Sequence, residues 1–162
     1  MAEPWVINAS PVILLAKAGL IQHVPSLAQP LVIPAPVAGE IRQCRSEDVA
    51  LTWINGIGGQ FIRPAEAELE ELRGTEMGEG ERSVISWAFA HRGFTAVLDD
   101  FGARATAQRL GVTVIGTVGV ILEMKRARLI AEVKPHLVEI RLVGGYISDA
   151  LFRDALHRAG EQ

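Results

Sequence analysis

Short apolar runs recur along the chain at Trp5-Val-Ile, Leu31-Val-Ile, Phe61-Ile, Thr95-Ala-Val-Leu98 and Val112-Thr-Val-Ile115. Each contains β-branched residues and none keeps a polar residue on every second position, which is the pattern of strands covered on both faces. Between most of them lie segments whose apolar positions return at helical spacing. Val84, Ile85, Ala88 and Phe89 mark a helix over Gly78 to His91, ending at Gly93; Asp100 to Leu110 and Thr117 to Arg126 mark two more, and Ile147 to Ala159 is amphipathic too. Ser10-Pro11 reads as an N-cap before a first-turn proline, and Pro34 and Pro36 open a helix over Val37 to Cys44. Strands that alternate with crossover helices predict an α/β fold, a three-layer αβα sandwich around a mainly parallel sheet of about five strands. Asn55-Gly-Ile-Gly-Gly59 reads as a turn cluster between a helix and a short strand rather than a linker, and no repeat appears, so residues 1–162 are expected to form a single domain.

Composition narrows the class. The 162 residues are 49% hydrophobic and 22% charged, which suits one buried core and excludes a disordered chain. Cys44 is the only cysteine, so neither an internal disulfide nor a zinc finger is available, and nothing suggests secretion. No basic segment followed by a long apolar one opens the chain, and the longest early apolar run, Val12 to Ala16, is far too short to span a bilayer. A cytoplasmic protein with no membrane anchor is expected. The net charge of −3 argues against holding nucleic acid by bulk electrostatics, so any such contact must be local or helped by metal.

In open parallel sheets ligands bind beyond the carboxyl ends of the strands. Asn8 and Ser10 follow the first run, Asp99 and Asp100 follow Thr95 to Leu98, and Gly116-Thr117 follows Ile115, so these residues are candidates for one rim. Two glutamates stand on apolar faces: Glu40 lies three after Val37, and Glu81 lies four before Ile85. A carboxylate turned inward is usually neutralised, matched with a cation or bound to metal, and no lysine or arginine is an obvious match. Each acid also has a plainer role. Asp100 suits an N-cap, Glu79 and Glu81 suit the positive end of a helix, and the stem of Glu40 can cover apolar surface. The four histidines, 23, 91, 136 and 157, are scattered without metal-ligand spacing, and Gly78-Glu-Gly-Glu81 lacks the lysine of a phosphate loop. Lys125, Arg126 and Arg128 form a small basic group that suits a solvated helix end or a phosphate contact.

Taken in order, these segments resemble a known family. Val6-Ile-Asn-Ala-Ser-Pro-Val-Ile-Leu-Leu-Ala-Lys17 is similar to the opening of PIN domains, where an acidic residue ends the first strand. Ile33-Pro-Ala-Pro-Val-Ala-Gly-Glu-Ile41, Gly80-Glu-Arg-Ser-Val-Ile-Ser-Trp-Ala88, Val97-Leu-Asp-Asp-Phe-Gly-Ala-Arg104 and Gly111-Val-Thr-Val-Ile-Gly-Thr-Val-Gly119 resemble its later segments, nearly end to end. The close, Gly145-Tyr-Ile-Ser-Asp-Ala-Leu-Phe-Arg and on to Ala159-Gly-Glu161, resembles a PIN-like subgroup of bacteria and archaea.

The resemblance implies a ribonuclease dependent on Mg²⁺ or Mn²⁺ that leaves a 5′-phosphate and a 3′-hydroxyl, often the toxin of a toxin-antitoxin pair. By that analogy Glu40, Glu81 and Asp99 or Asp100 are catalytic metal ligands, with Asn8 as a neutral one; Asp100 is slightly preferred to Asp99. Ser10 and Thr117 support ligands or water, and Lys125 and Arg126 contact RNA. The implied partners are RNA, a small antitoxin and a second copy of the chain. Asn8 departs from the family's aspartate: it offers a carbonyl oxygen but no charge and no base. The alternative is therefore a catalytically weak or silent PIN-like protein that binds nucleic acid or a partner. A receiver-like phosphoacceptor domain fits poorly, because the first strand ends without a carboxylate and no lysine stands at a suitable place after the last strand.

Overall fold

A computed structural model describes residues 2–162. Each of the five apolar runs contributes a strand to one sheet, with Phe61, Leu98 and Val112 just outside: β1 (Glu3–Ile7), β2 (Ala28–Pro34), β3 (Ile62–Arg63), β4 (Thr95–Val97) and β5 (Thr113–Ile115). Their order is β3-β2-β1-β4-β5, and every neighbouring pair is parallel. Trp5, Val6 and Ile7 of β1 and all of β4 are buried on both sides, which explains why these runs lack polar alternation.

Nine α-helices are present among the described residues: α1 (Ala9–Lys17), α2 (Val24–Leu27), α3 (Ala35–Ile41), α4 (Val49–Asn55), α5 (Glu79–Ala90), α6 (Phe101–Arg109), α7 (Thr117–Arg126), α8 (Lys134–Leu142) and α9 (Asp149–Arg158). The chain steps from β1 to β2 in one direction and from β4 to β5 in the other, so right-handed crossovers put α1 and α6 on opposite faces. α1 packs with α7 and α8, while α5 lies across β1, β2 and β4, giving helix layers on both sides of the sheet. One continuous apolar cluster runs through the strands and both layers.

Three local expectations change. α1 starts two residues early, with Asn8 as the N-cap and Ser10 and Pro11 inside the first turn. The helix tolerates this because first-turn amides have no acceptor in the helix, so proline there removes no bond. Residues 57–61 close into a 3₁₀ helix rather than an open turn, with Gly58 pressed so near Trp53 that a Cβ would lie 2.5 Å from its ring. Residues 134–142, to which the apolar pattern assigns no helix, form α8. It is short and buries only Leu137 and Ile140, too few positions to give a clear period.

Candidate functional site

β1 and β4 are neighbours, yet the chain leaves β1 toward β2 and leaves β4 toward β5. Their carboxyl ends therefore open a crevice between diverging connections, the usual place for a ligand in such a sheet. A cavity of about 790 Å³ lies there, and Asn8, Ser10, Glu81, Asp99, Asp100, Arg104 and Thr117 all line it.

Asn8 follows β1 directly, and its backbone N–H donates to the carbonyl of Val97 on β4 at 3.1 Å, which seats it at the divergence. Its side chain is 6% exposed, caps no helix amide, and leaves Oδ1 without a partner. A buried acceptor in that state carries an unmet desolvation cost.

The adjacent aspartates serve different helices. Asp99 accepts from the Thr117 backbone N–H and from the Thr117 hydroxyl, both at 2.7 Å, one on each carboxylate oxygen, and so holds the start of α7. Asp100 accepts from the Ala103 N–H at 2.9 Å as the N-cap of α6, leaving Oδ1 uncommitted by that bond. The plain capping role expected of Asp100 is thus real, without using the whole carboxylate.

Glu81 of α5 lines the cavity, whereas Glu40 of α3 is not among the lining residues and stands behind it, against the start of α5. Glu40 Oε1 accepts from the Gly80 N–H at 2.9 Å, and a Cβ at position 80 would stand 2.7 Å from both Glu40 oxygens. Only glycine lets α5 begin this close to Glu40. Glu81 accepts from the Gly78 N–H at 3.2 Å, the backward half of a capping box. Burial pushes the Glu81 carboxyl above its usual range; the Gly78 bond opposes this, and the negative charges of Asp100 and Glu40 add to the rise. Glu81 therefore stands within electrostatic reach of both, whereas the bonds of Asp99 turn it toward Thr117. Glu79, by contrast, is exposed in the first turn of α5.

The cavity is also lined by two cations that the residue pattern did not single out, Arg158 of α9 and Arg104 of α6. Arg104, four residues after Asp100 and so on the same face of α6, donates to the Leu98 carbonyl at 3.0 Å and lines the cavity. It makes none of the ion pairs formed among the described residues. A Cβ on Gly116 would meet its Nη1 at 2.9 Å and Asp99 Oδ1 at 3.1 Å, so Gly116 admits the start of α7 beside both. The available signal was the Asp100/Arg104 spacing.

The basic pair expected to contact RNA lies elsewhere. Lys125 donates to the Ala159 carbonyl at 2.6 Å and to Glu161 at 2.7 Å, so its ammonium is spent on the fold. Arg126 is exposed beside Glu123 and lines a separate cavity near Trp5, at the other end of α7 from Thr117. Ser10 lines the crevice and is exposed, while Thr117 is buried and bonded to Asp99. Among the histidines, His91 stacks on Trp87 and pairs with Glu66 at 2.7 Å, away from the rim.

The donors at the crevice are all oxygens, the class that Mg²⁺ and Mn²⁺ take. The orphaned Asn8 Oδ1 and the repulsion felt by Glu81 are both conditions that a cation relieves, so the residues fit such an ion in kind. Among the described residues, no three acidic, histidine or cysteine side chains are grouped tightly enough to enclose a metal, so the acids form a loose group rather than a closed cage.

Fold and rim together define an open parallel α/β domain with an acid-lined crevice where its strand order reverses. A family model described as a PIN domain matches residues 4–161, and the chain belongs to that nuclease-like family. No curated protein and no solved structure is found to match it. Among the described residues no helix is long and apolar enough to cross a membrane.

Proposed function

We propose that this protein is a divalent-metal-dependent ribonuclease acting in the cytoplasm, with its site at the crevice between β1 and β4. The observation that carries the reading is Glu81, a carboxylate raised first by burial and further by the charges of Asp100 and Glu40, lining the same cavity as an unpartnered Asn8 oxygen. Glu40, Glu81 and Asp100 would hold Mg²⁺ or Mn²⁺, with Asn8 as a neutral ligand. Asp100 is preferred to Asp99 because both Asp99 oxygens are already engaged by Thr117. When bound, such an ion supplies an activated water and neutralises charge on the leaving oxygen. Gly80 and Gly78 fix the two glutamates through backbone N–H donors, and Thr117 occupies both oxygens of Asp99. Arg104 is free to take a non-bridging phosphate oxygen and so align the phosphodiester.

A silent, nucleic-acid-binding protein is the second reading, and the neutral Asn8 at the end of β1 favours it. A small inhibitory protein and a second copy of the chain belong to the same proposal. Val138 and Leu142, one turn apart on α8 and both exposed, support such a protein contact.

Incubating the purified protein with single-stranded RNA and Mn²⁺ separates the readings. Cutting by the parent that EDTA and Glu81→Gln both abolish supports the nuclease. Cutting that appears only after Asn8→Asp supports the silent protein. The added charge should also tighten Mn²⁺ binding on the order of tenfold, or about 1.4 kcal/mol.

A further inference from the structure

The crevice extends past the acids to the connection between α8 and α9, where Gly144, Gly145, Tyr146 and Ile147 also line it, with Leu151 of α9. Tyr146, the only tyrosine in the chain, is 91% exposed there. A single exposed aromatic is ordinary on a protein surface. This one differs because the loop that carries it is pinned on both sides. Gly145 donates its N–H to the Ile140 carbonyl at 2.9 Å, and a Cβ at Gly145 would lie 2.6 Å from Ile140 Cγ2 and 3.3 Å from Leu14 Cδ1. On the other side the Arg141 guanidinium donates to the Ile147 carbonyl at 3.1 and 2.7 Å while lying over the Phe152 ring, and Ile147 itself is buried. The backbone is thus held down at 145 and 147, and the ring between them is held out in water on the wall of the acid-lined cavity.

We infer that Tyr146 is a stacking platform for a nucleobase of a single-stranded RNA whose phosphodiester lies at the Glu81 and Asp100 rim. The inference rests on the nuclease reading and adds to it a residue that holds a base of the substrate. A splayed base has an apolar face that gains from an aromatic ring, and a loop whose backbone is already pinned loses little conformational freedom on binding. Two cations line the same cavity between and beside these features. Arg104 makes no ion pair, and Arg158 is 61% exposed with only a 3.8 Å contact to Asp154, so both are available to the backbone phosphates. In a regular duplex the bases stay stacked on one another, so their faces are closed to Tyr146. The platform therefore selects unpaired RNA.

The test measures binding of a fluorescent single-stranded RNA of about 12 nucleotides, and of its duplex, by anisotropy with Ca²⁺ in place of Mn²⁺ to hold off cutting. Tyr146→Ala should weaken single-strand binding about tenfold, Tyr146→Trp should retain it, and duplex binding should not change. Equal affinity of parent and Tyr146→Ala for the single strand overturns the platform, as does an equal loss on strand and duplex. If the parent cuts RNA with Mn²⁺ while Tyr146→Ala binds as tightly as the parent, only the platform falls. A parent that neither binds nor cuts overturns platform and nuclease together.

Discussion

At the scale of single residues, the site depends on what is missing at position 80. Gly80→Ala places a methyl group where the Glu40 carboxylate now sits, and that carboxylate is the flexible end of a side chain, so it moves and the fold stays. The expected result is a melting temperature within about 2 °C of the parent but Mn²⁺ affinity at least roughly tenfold lower, read by calorimetric titration. Unchanged affinity would remove Glu40 from the site. Glu81 gives a second prediction, through pH. Its carboxyl is raised in the folded chain, so the folded state holds a proton that the unfolded state releases. Stability from this group is present at acid pH and is lost as pH rises from the usual glutamate range through the raised folded value. Without divalent ions, Glu81→Gln should therefore melt slightly higher than the parent at neutral pH, with the gap closing toward pH 4. A variant that melts lower at neutral pH contradicts the repulsion argument. At this scale the sequence singled out Glu40 and Glu81 because a carboxylate on an apolar helix face must be satisfied, and in the fold each accepts a backbone N–H at the start of α5. It was a poor guide to Arg104 and Tyr146, whose roles depend on a face and a loop that only the packed chain brings to the crevice.

At the scale of elements, the five strands could be read from their apolar runs because burial on both faces leaves a simple signature. α8 could not, since what fixes it lies outside its own residues. Glu161 accepts from the Val133 N–H at 2.8 Å and the Lys134 N–H at 3.0 Å at the start of α8, and from Lys125 at the end of α7. Burial pushes its carboxyl up, but the Lys125 bond, the two backbone bonds and the Lys125 charge together outweigh this and hold it below the usual range. A depressed acid contributes stability above its unfolded value, and that contribution is lost as pH falls through the folded value. Glu161→Gln should cost about 1.5–3 kcal/mol at neutral pH and little at strongly acid pH, measured by urea unfolding at both. A pH-independent loss would mean that packing, not charge, holds α8. The same network explains why Lys125 reads as a phosphate contact in isolation while its ammonium is engaged inside the fold: its two partners, Ala159 and Glu161, lie 34 and 36 residues away in sequence.

At the scale of the whole molecule, a chain of net charge −3 is asked to meet a polyanion. The parallel topology offers an answer: α1, α6 and α7 all begin at the carboxyl edge of the sheet, so their positive N-terminal ends face the crevice. These partial charges hold no condensed counterions to exchange with salt, and only Arg104 and Arg158 line the cavity as full positive charges. Binding of single-stranded RNA should thus weaken only gently with salt, with a slope in log K against log salt no steeper than about −1.5, as two phosphate contacts imply. A slope several times larger would locate the main contact on some other, basic surface. The strand order itself was not legible from the apolar runs, since they show which segments are strands and not which are neighbours. The pair Asp99-Asp100 has one more use. Because these neighbours hold the first-turn amides of Thr117 and Ala103, anything that draws on either carboxylate must loosen or tighten one of those two N–H groups. Hydrogen exchange at just these two amides is accordingly a built-in gauge of occupancy, and it reports which of the two aspartates is being pulled without any label or substitution.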